Sequence, residues 1–91
     1  MANYLARVEV FNASGEDYEN LHKAMSAYGF ERYIDGHKGK SKLPDGLYVG
    51  TSYQNPAAAR DRILEISRPF SSKTASVFVC VYDDWAAHLY P

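Results

Sequence analysis

Three histidines and one knot of lysines are the residues in this sequence best suited to chemistry. His22 falls in a helical pattern, His37 in a glycine-rich segment and His88 near the end of the chain. Imidazole exchanges protons near neutral pH. Metal-free cleavage of RNA needs a base at the 2′-hydroxyl and an acid at the leaving 5′-oxygen, roles that histidine fills. No pair of these histidines has a diagnostic spacing, and each also reads as a surface or hydrogen-bonded histidine. The candidate catalytic set is His22 and His37, with Lys23 beside His22 to stabilise charge on a phosphorane. The segment GHKGKSK carries His37, Lys38, Lys40 and Lys42, the one local concentration of positive charge. Lysines in a glycine-containing loop can grip phosphates, and neighbouring rings such as Tyr33 can stack on unpaired bases. Arg32, Lys38, Lys40 and Lys42 are therefore the candidate RNA-binding residues. The plainer reading is a solvated hairpin tip whose lysines discourage edge pairing.

Other chemistry is poorly supplied. Asp83-Asp84 could bind a cation, but adjacent carboxylates point apart, and Asp before a short helix is a capping signal. Cys80 is the single cysteine and sits in an apolar run, so it reads as an inert core thiol with neither disulfide nor metal-type spacing. GHKGKSK contains GK without the spacing or strand-to-helix setting of a phosphate-binding loop. No metal and no cofactor are expected.

The bulk composition narrows the classes further. The chain has 91 residues and a formal net charge of −1. That length implies a single domain over residues 1–91 and a thin stability margin, to which dimerisation would add. The charge excludes a generic polycation, so nucleic-acid contact would have to be local. Aromatic residues make up 14% of the chain, which favours recognition by stacking or burial. MANYLARVEVF has no long apolar core of a signal peptide, and no apolar run approaches the ~20 residues that span a bilayer. A reducing cytoplasm and no membrane are expected.

The elements that must position these residues follow from periodicity. Tyr4–Phe11 alternates, with Ala6, Val8 and Val10 on one face and Leu5, Arg7, Glu9 and Phe11 on the other. Ser14 with Asp17 resembles a capping box, and Tyr18, Leu21, Met25 and Tyr28 form a helical stripe ended by Gly29. Phe30–Asp35 and Leu47–Ser52 read as two strands joined by a long loop, Gly36–Gly46. Asn55-Pro56 starts a second helix over Ala57–Ser67, stopped by Pro69. Ala75–Tyr82 is nearly all apolar and should be the most buried strand, central in its sheet. Residues 82–91 form a tail, with one or two helical turns expected after Asp83-Asp84.

The order βαββαβ predicts an α+β, ferredoxin-like fold. It would be a four-stranded antiparallel sheet in the spatial order fourth, first, third, second, with both helices on one face. The other face would be bare, carrying Arg7, Glu9, Phe11, Tyr48 and Ser52. A bare face is covered by a second subunit, a tail or a ligand. A homodimer is expected there. Phe11, Tyr48, Trp85 and Tyr90 are the candidate partner-binding residues.

Several stretches resemble the GhoS family of type V antitoxins, which share a ferredoxin-like fold with Cas2. They are AYGF (Ala27–Phe30), LPDGLYVGTS (Leu43–Ser52) and VYDDWAAHLY (Val81–Tyr90). The resemblance implies a cytoplasmic endoribonuclease that cleaves the transcript of a small membrane toxin. Family basic residues on the first helix would correspond to the region of His22 and Lys23. The acidic residue that ends the first strand in Cas2-type metal sites is Asn12 here, so cleavage would be metal-independent. Two functions are thus expected in competition. One is an antitoxin-like protein that binds and cleaves RNA. The other is a non-enzymatic inhibitor, of phage or plasmid origin, that binds a protein partner through the open face.

Overall fold

The structure is a computed structural model and describes residues 1–37 and 39–91. Lys38 therefore lies outside the described residues. The fold is α+β. β1 (Ala2–Glu9), β2 (Phe30–Glu31), β5 (Leu47–Ser52) and β6 (Ser76–Tyr82) form one antiparallel sheet in the order β2-β5-β1-β6. β3 (Tyr33–Gly36) and β4 (Gly39–Lys42) form a separate two-stranded ribbon. α1 (Gly15–Ala27) and α2 (Pro56–Ser67) are the two α-helices, and a single 3₁₀ turn, Arg68–Phe70, follows α2.

Local chemistry sets the helix boundaries. Ser14 accepts from the Asp17 amide while the Asp17 carboxylate accepts from the Ser14 amide, so two otherwise unpaired donors are satisfied. Gly29, at φ 94°, follows the Tyr28 cap in a conformation that costs a glycine little. Asn55 accepts from the Ala58 amide, and Pro56 loses no helical hydrogen bond at the first position.

Strand parity decides which side chains meet. Tyr4, Ala6 and Val8 of β1 share a buried cluster with Leu21 and Met25 of α1, Ile63 of α2, Phe30 and Tyr48. Both helices therefore cover the same sheet face. Register places Tyr48 opposite Ala6 and Gly50 opposite Tyr4. Phe30 of β2 also pairs with Gly50. A Cβ on Gly50 would lie 2.4 Å from the Gly29 carbonyl oxygen, so glycine lets this turn approach β5.

Five expectations need correction. Tyr48 and Ser52 point to the helix-covered face, not the bare one, and Tyr48 is only 1% exposed. LYVGTS alternates in either phase, and the Phe30–Gly50 contact selects the one that buries Tyr48. The long loop is itself mostly a ribbon, with Tyr33 opposite Lys42 and Gly36 opposite Gly39. β6 is an edge strand, not the most buried one: Phe78 is 65% and Val81 52% exposed. Cys80 is accordingly half-buried and faces Leu5 on the side away from the helices. Finally, residues 83–91 form no helix. That tail leaves β6 at one sheet edge and reaches the ribbon that follows the opposite edge, where the Lys42 amide donates to the Tyr90 carbonyl at 3.0 Å.

Candidate functional site

α1 and β5 build the best-formed candidate site between them. His22 follows buried Leu21 on α1 and is itself half-buried. Tyr48 comes up from the core, and its Oη lies 2.7 Å from His22 Nδ1. Val8, Tyr18, Leu21, Asp45 and Gly46 complete a cleft of about 380 Å³ around the pair. Gly46, at φ 85°, passes close to β1: the Val8 amide donates to its carbonyl at 2.8 Å, and a Cβ there would meet the Val8 oxygen at 3.1 Å. The Pro44–Leu47 turn thereby holds the cleft wall against the central strand.

The charges of Arg32 and Lys42 act on His22, although neither side chain lines its cleft. Burial, then the Arg32 charge and more weakly Lys42, lower the pKa of His22; Glu19 and Asp45 oppose them. His22 is therefore neutral at pH 7. Burial pushes the Tyr48 hydroxyl up to about 12, so it keeps its proton. With the imidazole proton on Nδ1, Tyr48 Oη accepts it and Nε2 is left with the lone pair that a base requires. Arg32 is half-buried between β2 and β3, its carbonyl accepting from the Leu43 amide at 2.7 Å. Lys42 ends β4, and its Nζ lies 3.6 Å from an Asp45 carboxylate oxygen. Both partners are well exposed, so this pair adds little stability.

The other residues singled out in the sequence lie elsewhere. Lys23 is exposed and does not line the His22 cleft. His37 lies near the ribbon tip and lines a different cleft, between the ribbon and the tail. His22 and His37 thus do not form one acid–base pair. Lys40 is exposed on β4 opposite Asp35. Phe11 is half-buried, with Lys73 Nζ 4.3 Å over its ring and its amide donating to Ser71 Oγ. Trp85 and Tyr90, 43% and 72% exposed, are in the tail and not on a sheet strand.

Asn12 has its own structural reason. It adopts φ 53°, a region asparagine tolerates better than most residues, and its amide nitrogen lies 2.9 Å from Ser72 Oγ. Among the described residues, no group of three or more His, Cys, Asp and Glu side chains could hold a metal ion. No helix among them is long and apolar enough to cross a membrane.

Asp45, Tyr18 and the pairing of Tyr48 with His22 were not singled out as site features by residue type or spacing. Gly46 was the nearest signal, because a glycine beside a strand often marks a close backbone approach. Comparison with protein-family models, with characterised proteins and with solved structures finds no match.

Proposed function

We propose that this chain is a ferredoxin-like RNA-binding domain that cleaves RNA without a metal, with His22 as general base. The His22–Tyr48 pair carries the reading: a neutral histidine held at 2.7 Å by a tyrosine that stays protonated, under the charges of Arg32 and Lys42. Nε2 of His22 would take the 2′-hydroxyl proton, the 2′-oxygen would attack phosphorus, and the 5′-oxygen would leave with a proton from water. Arg32 and Lys42, whose charges act on His22, would stabilise the phosphorane charge. The order β6-β1-β5-β2 supports the ferredoxin-like reading, with the β3–β4 ribbon as an elaboration of its hairpin. The resemblance to GhoS supports a cytoplasmic antitoxin acting on a toxin transcript.

End-labelled single-stranded RNA, incubated with EDTA present, tests the reading. Cleavage should persist in EDTA, disappear in His22→Ala, and fall as pH drops through the lowered pKa of His22. Intact RNA at high protein concentration would sink the enzyme reading, and binding insensitive to salt would sink phosphate recognition. The exposure of Phe78 and Val81 on β6 favours a second reading, a protein partner or second subunit docked at that edge. Binding of such a partner would survive both nuclease and salt.

A further inference from the structure

β6 closes one side of the main sheet, with β1 as its one strand neighbour. Among the described residues, no backbone group of Ser76–Tyr82 bonds outside that sheet. We infer that this edge is an interface for a second copy of the chain, whose β6 adds antiparallel across a two-fold axis at Val79. This rests on the second reading above and names the partner as the chain itself.

An exposed edge is ordinarily blocked by a charge, a proline, a bulge or a covering segment. β6 is SVFVCVY, seven residues with neither charge nor proline. It spans roughly 23 Å. It pairs with β1 residue for residue from Ser76 to Tyr82, so no bulge twists the edge away. The tail that follows runs to the ribbon beyond the opposite edge. That opposite edge is built differently: β2 has only two residues, and one of them is Glu31.

The sequence of β6 fits its own copy. A two-fold axis perpendicular to the sheet keeps each face on its own side, so residues that meet must share parity. Centred on Val79, the whole strand pairs: Val79 meets Val79, Val77 meets Val81, Phe78 meets Cys80, and Ser76 meets Tyr82. On the helix-covered side the joint is all valine, and it buries Val81, which is exposed in the single chain. On the other side Phe78 gains cover from Cys80 of the second copy, a small side chain that leaves room for the ring. No charges oppose one another along the strand. The symmetry of the valines about Val79 is what favours a second copy over a foreign strand. Two four-stranded sheets would become one of eight strands, with both copies of β6 at its centre. A central position is the one that an almost uninterrupted apolar strand suits.

Light scattering on the intact chain at about 100 µM, a concentration suited to a small interface, should give twice the chain mass. Phe78→Lys should raise the dissociation constant at least about tenfold, because two like charges would lie near the axis. Phe78→Glu should do the same, and mixing the two variants should restore a dimer. Phe78 is exposed, so both variants should keep the circular dichroism spectrum of the parent. Under mild oxidation Phe78→Cys should form a disulfide dimer through Cys80 of the second copy, since directly opposed strand residues meet disulfide geometry. Val81→Cys, on the other face, should not. A monomer at that concentration, or a dimer indifferent to Phe78→Lys, overturns the inference. A monomer that still binds a different protein through β6 leaves the second reading standing without it, and a monomer that binds none overturns both.

Discussion

Replacing Tyr48 with phenylalanine separates the hydroxyl of the His22–Tyr48 pair from the ring that fills the core. The ring is buried among Tyr4, Ala6, Leu21 and Phe30, so Phe keeps that packing. The 2.7 Å contact with His22 is lost. One net hydrogen bond contributes roughly 1 kcal/mol. His22 is only partly buried, so water can reach the vacated Nδ1 and no larger penalty is expected. At pH 8, Tyr48→Phe should therefore be less stable by about 1 kcal/mol, a melting shift of about 4–8 °C in a domain this small. The pH dependence gives the sharper test. The folded-state value of about 12 lies above the ordinary 10.0, so the stabilisation is complete below pH 10 and is lost as pH rises towards 12. Two units correspond to at most about 2.7 kcal/mol. The gap between the parent chain and Tyr48→Phe should thus close or reverse between pH 10 and 12. Urea denaturation followed by circular dichroism across that range measures it, and the variant cancels the titration of the other tyrosines. A gap that stays constant to pH 12 would refute a buried, protonated Tyr48.

Arg32→Ala should raise the pKa of His22 and Glu19→Gln should lower it, because their charges act in opposite directions; NMR titration of the His22 ring reads both signs. Gly50→Ala should cost about 2–3 kcal/mol, since its Cβ would stand 2.4 Å from a backbone oxygen that can only yield by moving β2 from β5. Denaturant unfolding would show it, and a loss below about 0.5 kcal/mol would contradict the close approach. Ser14→Ala should destabilise by about 1 kcal/mol through loss of the capping box, measured as a lower melting temperature.

The parts of the fold fixed by local chemistry were legible in the sequence. Ser14, Gly29, Asn55 and Pro56 bounded both helices because capping needs a specific atom at a specific position. The phase of β5 was not legible: Leu47 and Val49 are as apolar as Tyr48, and the choice depends on Gly50 receiving Phe30 from a distant turn. β6 was misjudged because apolar composition resembles burial, whereas its edge position follows from sheet order. Within the candidate site, His22, Arg32 and Lys42 were singled out from their charge and proton chemistry. Their convergence depends on Leu43–Asp45 folding back beside α1, a tertiary arrangement without a local code.

The central position of β1 also has a consequence in time. β1 precedes both of its neighbours in the chain, and its pairs reach from Asn3 to Tyr82 and from Ala2 to Ser52. During synthesis its edge towards β5 stays open until Ser52 has emerged, and its edge towards β6 until Tyr82 has. Such long-range closure is slow to nucleate. The sheet should therefore form late and together, with α1 and α2 able to form transiently before there is a surface to hold them.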